Sequence, residues 1–249
     1  NIKLAFALTS VSLRDAGDLD ASVTTDDDIE SIPSGLSGET AMHRWTIDGA
    51  TLQSLIMPFN SGAIQSDYSG NLNNGTKVGM SFHSTVSAFC KVGSCYTFNG
   101  TSDVMNLAIG TFDHTNATEG TVSLWLKTSS NCAGTNNLCG LFDYDGNAAG
   151  DYRMRLALDN LNQPVFSLYD GTTTYTISGA SAVNNGAWRH IVGTWDATGM
   201  KLYVDNSVAA SNSSVVNLGT FTPTSARAGA LFEASTLESF FPGTLDEIH

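Results

Sequence analysis

The chain has 249 residues, of which 41% are hydrophobic and only 14% are charged, and its formal net charge is −13. That hydrophobic fraction is enough for a folded core and argues against general disorder, while the 11 basic residues, scattered singly, argue against nucleic-acid binding. No apolar run approaches the roughly 20 residues of a membrane-spanning helix, so the sequence predicts no membrane span.

The first predicted element is a strand at residues 2–8. Ile2, Leu4, Phe6 and Leu8 alternate with small or polar residues, which gives the strand one strongly apolar face. Two interpretations are open: the strand either begins a sandwich within its own chain or completes a neighbouring copy by β-augmentation. The second interpretation makes self-association an expected partner mode.

The predicted strand belongs to a first region, residues 1–54, that resembles a small immunoglobulin-like β module. A complete sandwich of that kind takes about 100 residues. The module is therefore expected to be short or incomplete, and its missing strands would come from the second domain or from another molecule.

The second region, residues 55–249, contains short apolar runs separated by turn residues, and no helical periodicity competes with this pattern. The predicted strands are residues 55–59, 121–127, 153–158, 165–169, 173–177, 188–195, 201–204, 226–232 and 243–249, with a strand, a turn and a further strand at 95–107. The predicted fold class is all-β, an antiparallel β-sandwich.

Six segments of this region resemble, in chain order, the laminin-G-like jelly rolls of the concanavalin A-like class. They read L-x-M-P-F followed by D-Y-S-G-N-x-N-N-G-T, then Y-x-F-N-G-T-x-D, T-V-S-L-W-L-K, W-x-H-I-V-G-T-W-D, L-Y-V-D and G-T-L-D-E-I. The resemblance implies a jelly roll over residues 55–249. It does not assign a ligand, because one fold serves many functions.

The resemblance also implies a structural calcium ion. Related jelly rolls hold calcium near the equivalents of F-N-G-T-x-D and L-D-E, which here indicates Asn99, Asp103 and Asp246, with Asp67 or Asn71 from the preceding loop. Oxygen ligands from turns suit Ca²⁺, which accepts irregular coordination. The competing interpretation is that these side chains only hydrogen-bond to their own turns.

The sequence gives little support to catalysis. Enzymes of the concanavalin A-like class resemble one another in an E-x-D-x-x-E strand, which sets two carboxylates about 5 Å apart in a retaining glycosidase. None of the glutamates has that spacing, and the adjacent Asp246 and Glu247 would point to opposite faces of a strand. The protein is therefore expected not to be an enzyme.

Aromatic side chains near loops are the candidates for ligand binding, because their flat apolar faces stack on sugar rings. Tyr144, Tyr152 and Tyr169, together with Asp145, lie in or beside predicted loops. They predict a site for a glycan.

Three tryptophans and one histidine are expected to be structural instead. Trp125, Trp188 and Trp195 are predicted to lie in the core. His190 alternates in phase with Trp188, so we expect it in or beside the core.

The four cysteines form two close pairs, Cys90 with Cys95 and Cys132 with Cys139. Four cysteines allow three pairings, and local closure of each pair is favoured because both flank glycine-containing turns. Zinc is the competing interpretation, although neither pair has C-x₂-C spacing.

Four N-x-S/T sequons, at Asn74, Asn99, Asn116 and Asn212, are compatible with glycosylation. With disulfides, they favour an oxidising setting outside the cell or at its surface.

Together these features favour a non-catalytic extracellular structural or adhesive protein. Its laminin-G-like domain would be displayed on a filament that assembles through the strand at residues 2–8. The alternative is a monomeric, lectin-like carbohydrate-binding module, with or without a dependence on calcium, and a polysaccharide-degrading enzyme has the least support. The expected partners are a second copy, a glycan or a surface protein.

Overall fold

The computed structural model describes residues 46–47, 50–51, 55–59, 64–69, 71–84, 89–108, 116–145, 152–220, 224–233 and 236–249. The predicted strand at residues 2–8, with Ile2, Leu4, Phe6 and Leu8, lies outside the described residues, as does most of the predicted module at 1–54. Within that module, β1 (Thr46–Ile47) pairs antiparallel with β2 (Ala50–Thr51).

The rest of the described chain is built from strands, with one short 3₁₀ turn at Thr135–Asn137. The strands are β3 (Ile64–Gln65), β4 (Gly75–Val78), β5 (Ser81–His83), β6 (Cys95–Asn99), β7 (Val104–Leu107), β8 (Gly120–Lys127), β9 (Leu138–Asp145), β10 (Tyr152–Asp159), β11 (Pro164–Tyr169), β12 (Thr174–Ser178), β13 (Arg189–Asp196), β14 (Gly199–Val204), β15 (Ser207–Asn212), β16 (Ser225–Ala228), β17 (Leu231–Glu233), β18 (Thr236–Glu238) and β19 (Pro242–Asp246).

Two large antiparallel sheets face each other. One has eight strands in the order β12-β11-β10-β9-β16-β7-β4-β3, and the other has seven in the order β15-β14-β13-β8-β19-β6-β5. Late strands insert between early ones, since β16 lies between β9 and β7, and β19 between β8 and β6. These crossovers are typical of a jelly roll, and the predicted all-β antiparallel sandwich is confirmed.

The core lies between the two sheets and follows from the alternation of side chains along each strand. On β8, Val122, Leu124 and Leu126 are buried while the residues between them face outward. The sheets approach closely at Gly193, where an added Cβ would lie 2.5 Å from the ring of Phe166. The sheet contact therefore requires a residue without a side chain at this position.

Two predicted strands are broken in the structure. The predicted strand at 226–232 is interrupted at Gly229, whose φ is +86° and whose added Cβ would lie 2.2 Å from the ring of Phe98. β17 therefore leaves the large sheet and pairs with β18 as a separate hairpin. The predicted strand at 243–249 is interrupted at Glu247, which has a φ of +48°.

The favoured cysteine pairing is confirmed. Cys90 bonds to Cys95 and Cys132 to Cys139, and no cysteine is free. Within the described residues, no helix has the length and apolar character needed to cross a membrane.

Candidate functional site

A row of polar side chains crosses the outer face of the eight-stranded sheet. The strand register aligns one residue from each of seven neighbouring strands, and their neighbours along the strands, such as Phe142, Leu156 and Phe166, face the core. This polar row consists of Thr176, Ser167, Arg155, Asp143, Arg227, Asn106 and Thr76.

Four charged side chains meet at the centre of this face, and we call them the charged quartet: Asp143, Asp145, Arg155 and Arg227. The Nε atom of Arg155 donates to Oδ1 of Asp143 at 2.8 Å, and its Nη2 atom lies 3.3 Å from Oδ2 of Asp145. Nη1 of Arg227 lies 3.9 Å from Oδ2 of Asp143. The two positive charges balance the two negative ones.

The quartet is buried although it faces away from the core, and none of its members is more than 6% exposed. Burial raises the pKa of Asp143 to about 6, with Arg155 opposing the rise and Asp145 adding to it. Burial also lowers the pKa of Arg227, and Asp143 opposes that shift. Such a cluster costs desolvation energy that only good pairing offsets.

The hairpin of β17 and β18 covers the quartet. The backbone N–H of Phe232 donates to Oδ2 of Asp143 at 2.9 Å, and the backbone carbonyl of Phe232 accepts from Nη2 of Arg155 at 2.7 Å. The guanidinium carbon of Arg227 lies 4.4 Å from the centre of the Phe232 ring. One residue of the hairpin thus meets three of the four charged side chains.

The same outer face is more open at the β11–β12 edge. Tyr169 is half-buried, pairs with Thr174 on the neighbouring strand and shares the outward face with Ser167. Thr174 and Thr176 are exposed, and the hydroxyl oxygens of Ser167 and Thr176 lie 2.9 Å apart. We call Ser167, Tyr169, Thr174 and Thr176 the edge site.

The turn between these two strands is held by a side chain. Oδ1 of Asp170 accepts the backbone N–H groups of Thr172 and Thr173, each at 2.7 Å. These bonds, with that from the Tyr175 hydroxyl, lower the pKa of Asp170 against the opposing effect of burial. The turn therefore fixes the register that places Tyr169 opposite Thr174.

The predicted ligand residues divide between the two faces of this sheet. Tyr144 is only 1% exposed and lies in the core, so its predicted exposure is wrong. The segment around Tyr144 forms β9 rather than a loop, and alternation turns Tyr144 inward between two outward aspartates. Asp145 faces outward but is buried in the quartet. Tyr152 begins β10, and its side chain is outside the described part of the structure.

The predicted calcium ligands are hydrogen-bonded within separate loops. Asp67 accepts the N–H groups of Ile56, Ser69 and Asn73 and the hydroxyl of Ser69.

At the other turn, Oδ1 of Asn99 accepts the N–H groups of Thr101, Ser102 and Asp103, and Asp103 accepts the N–H of Asn99. In the described residues, no group of three His, Cys, Asp or Glu side chains is placed to hold a metal. Each carboxylate thus meets N–H donors, which suits the turn interpretation, and calcium binding stays a prediction.

Asp246, the remaining calcium candidate, holds the disulfide loop against the seven-stranded sheet. Its Oδ2 accepts the N–H groups of Lys91 and Val92 at 2.9 and 3.0 Å, and its Oδ1 accepts that of Glu247 at 3.0 Å. Burial raises the pKa of Asp246 to about 8, and the Glu247 carboxylate adds to the rise.

An aromatic group lies beside this loop, on the outer face of the seven-stranded sheet. The ring of Trp125 stacks on His190 with centroids 4.8 Å apart, and Nζ of Lys91 lies 4.0 Å from the centre of the Trp125 ring. The core prediction is therefore wrong for Trp125 and for the half-buried Trp188, but it is confirmed for Trp195, which is 2% exposed.

The pKa of His190 falls to about 4, chiefly because of burial. The neighbouring His249 also lowers it, Asp205 raises it, and Lys91 adds a smaller lowering effect. His190 is thus half-buried and stacks on Trp125 on the outer face rather than within the core, and burial favours its neutral form.

The four sequon asparagines differ in exposure. Asn99 and Asn116 are exposed, while Asn74 and Asn212 are half-buried, and their side-chain oxygens accept the N–H groups of Asp67 and Ser214. Glycosylation at any of them stays a prediction.

Comparison with known proteins adds a family match. A family model described as the concanavalin A-like lectin/glucanases superfamily (Laminin_G_3) matches residues 99–249. No curated protein matches the chain significantly.

Solved structures with the same fold include domain 4 of AbnA, an extracellular arabinanase from Geobacillus stearothermophilus, in complex with arabinotriose. It has 19% identity and a TM-score of 0.54, with 78% of this chain and 89% of that chain covered.

A sialidase CBM40 of Ruminococcus gnavus bound to α2,3-sialyllactose has 15% identity and a TM-score of 0.52, with 62% of this chain and 88% of that chain covered. A botulinum neurotoxin type C, whose cell entry depends on two ganglioside molecules, has 12% identity and a TM-score of 0.56, with 78% of this chain and 46% of the toxin chain covered. The match thus covers less than half of that chain. At these identities the likeness shows the fold alone.

Proposed function

Because that family model spans more than half of the chain, the protein belongs to the concanavalin A-like lectin/glucanase superfamily, and we propose that it is a non-catalytic glycan-binding module of an extracellular protein. The observation that carries the proposal is the edge site, where an outward tyrosine lies among hydroxyl side chains on a sheet face crossed by polar residues. Glycan complexes among structures of the same fold support the choice of ligand class.

The edge site offers the two kinds of contact that sugars use. The ring of Tyr169 supplies a flat apolar face on which a sugar ring stacks. The exposed hydroxyls of Thr174 and Thr176 donate to and accept from sugar hydroxyls, while the buried Ser167 hydroxyl pairs with that of Thr176 beneath them. Strands β11 and β12 hold these side chains in fixed register, which reduces the ordering cost of binding.

The state of the two outward aspartates of β9 supports a non-catalytic role. Asp143 and Asp145 point to the same face, as a glycosidase pair would. Both are fully buried, and both are paired with Arg155. A general acid needs to reach the glycosidic oxygen, and with the β17–β18 hairpin in place neither carboxylate can do so.

A glycan array followed by titration calorimetry tests the proposal. We expect Tyr169→Ala to weaken binding roughly tenfold, because it removes the stacking ring. Tyr203→Ala is the matched control, since Tyr203 is also half-buried but lies on β14 of the other sheet. Failure of every glycan to bind would refute the function, and equal loss in both variants would refute the location.

A second proposal concerns the whole chain: it assembles into an adhesive extracellular filament, with the apolar strand at residues 2–8 donated to a neighbouring copy. The alternation of Ile2, Leu4, Phe6 and Leu8 favours it, because an unpaired apolar strand otherwise promotes uncontrolled aggregation. The immunoglobulin-like module at 1–54 would receive or present that strand.

Electron microscopy and light scattering of the full chain and of a variant lacking residues 1–9 test the assembly. We expect filaments from the full chain and monomers from the shortened chain. Identical oligomers from both chains would refute strand donation.

A further inference from the structure

The contacts of Phe232 with the charged quartet have the form of a bound ligand. The backbone of this one residue supplies a donor to Asp143 through its N–H and an acceptor to Arg155 through its carbonyl, at 2.9 and 2.7 Å, while the side-chain ring lies against the guanidinium of Arg227. Asp143 and Arg155 thus make two hydrogen bonds of opposite sense to one residue of the hairpin.

A pair of sugar hydroxyls can make the same two hydrogen bonds as the N–H and carbonyl of Phe232. One hydroxyl donates to a carboxylate while its neighbour accepts from a guanidinium, which matches Asp143 and Arg155. The positive charges of Arg155 and Arg227 are balanced by Asp143 and Asp145, so the quartet brings no surplus positive charge to the site. It suits a neutral sugar better than a sialic or uronic acid, whose carboxylate would face Asp143.

The quartet is also continuous with the edge site. Arg155 pairs in register with Ser167, which in turn pairs with Thr176. Adjacent strands lie about 4.8 Å apart. A glycan that stacks on Tyr169 and runs diagonally over Ser167 therefore reaches Arg155, at the place where the hairpin lies.

We propose that the β17–β18 hairpin is a lid, with Phe232 occupying an inner subsite for a neutral sugar that the glycan fills when the hairpin moves away. The inference rests on the proposed function, because it takes a glycan as the ligand. Binding at the edge site then competes with the hairpin, so the closed lid lowers the affinity for longer chains.

Hydrogen exchange measured by mass spectrometry tests the lid in the wild-type chain. Neutral and sialylated oligosaccharides that the array identifies are the probes. We expect a bound neutral glycan to speed exchange over residues 231–238, because the Phe232 N–H loses its acceptor. Ligand binding ordinarily slows exchange, so the opposite sign is diagnostic. Unchanged or slower exchange with the bound glycan would overturn the lid.

Calorimetry with Phe232→Ala provides the second test. The variant loses the ring contact with Arg227, and we expect it to bind neutral glycans about two- to fivefold more tightly. Leu237→Ala is the control, because Leu237 pairs with Phe232 in the hairpin but lies on the other strand. It keeps the Phe232 ring, so it is expected to tighten binding less.

The outcomes separate this inference from the proposed function. If Tyr169→Ala abolishes binding while Phe232→Ala leaves it unchanged, the module binds glycans and the lid is wrong. Tighter binding of sialylated than of neutral chains would refute the neutral subsite alone. If neither the wild type nor Phe232→Ala binds any glycan, both proposals are wrong.

Discussion

Replacing Asp246 by alanine tests whether this carboxylate stabilises the protein through hydrogen bonds or through calcium. Its oxygens accept three backbone N–H groups, from Lys91, Val92 and Glu247, and Asp246 itself is 0% exposed. A buried donor that loses its acceptor costs about 1–3 kcal/mol. Because Lys91 is exposed, water reaches part of its loop, so the total for Asp246→Ala is about 2–4 kcal/mol.

Urea unfolding and thermal unfolding are both monitored by circular dichroism. Each is measured once in EDTA and once in millimolar calcium. A loss of this size lowers Tm by roughly 5–12 °C in a domain of this length. We expect the loss to be the same in both buffers, and EDTA to leave the wild-type midpoint unchanged. Glu119→Gln is the control, because Glu119 is exposed.

Two results would refute this reasoning. A change below about 0.5 kcal/mol in Asp246→Ala, the range of ordinary surface substitutions, would mean that the three hydrogen bonds contribute little. A wild-type chain that EDTA destabilises as much as the mutation does would show that Asp246 holds calcium.

Gly193→Ala is expected to destabilise the domain by about 1–3 kcal/mol in urea unfolding, because its Cβ would overlap the ring of Phe166. Replacing Cys132 and Cys139 together by alanine is expected to cost about 2 kcal/mol, since a short loop is released in the unfolded chain. The lowered pKa of His190 means that the unfolded state binds a proton that the native state does not between about pH 6.5 and 4, so stability falls as the pH falls through that window. Unfolding curves at pH 7 and pH 4.5 measure how far the free energy of unfolding falls between these two pH values. We expect His190→Gln to reduce that fall by up to about 3 kcal/mol.

Each of these expectations has a contrary result. An unchanged urea midpoint in Gly193→Ala would mean that the two sheets separate easily at that point. Equal stability with and without the second disulfide would show that the loop is already ordered in the unfolded chain. An identical pH dependence in His190→Gln would assign the decline to other groups; Asp143 and Asp246 do not explain it, because their raised pKa values make stability fall as the pH rises.

The local features of the sequence determined much of the fold. The predicted strands at 121–127, 188–195 and 201–204 match β8, β13 and β14 within two residues. Their alternation of apolar and polar residues is a property of each segment alone, and so is the closeness of the paired cysteines. Tyr169 lies half-buried on the outer face of the sheet, and its predicted role in ligand binding stays a prediction.

The same local patterns failed at β9, which was not predicted to be a strand. Its sequence contains two aspartates and a glycine, and these residues ordinarily mark a loop. Asp143 and Asp145 are accommodated because Arg155 and Arg227 lie on the two adjacent strands. The sequence around Tyr144 contains no sign of that partner.

Only the tertiary structure decided the composition of the site. Asp143, Arg155 and Arg227 come from three strands, and Phe232 reaches them because Gly229 turns the chain out of the large sheet. Side-chain direction along a strand follows from local alternation, but the partner across the sheet depends on register and on β-bulges, such as the shift between Leu156 and Ala157. Register is set by contacts between segments far apart in the chain, so the partners of Asp143 and Asp145 became identifiable only once the strands were paired.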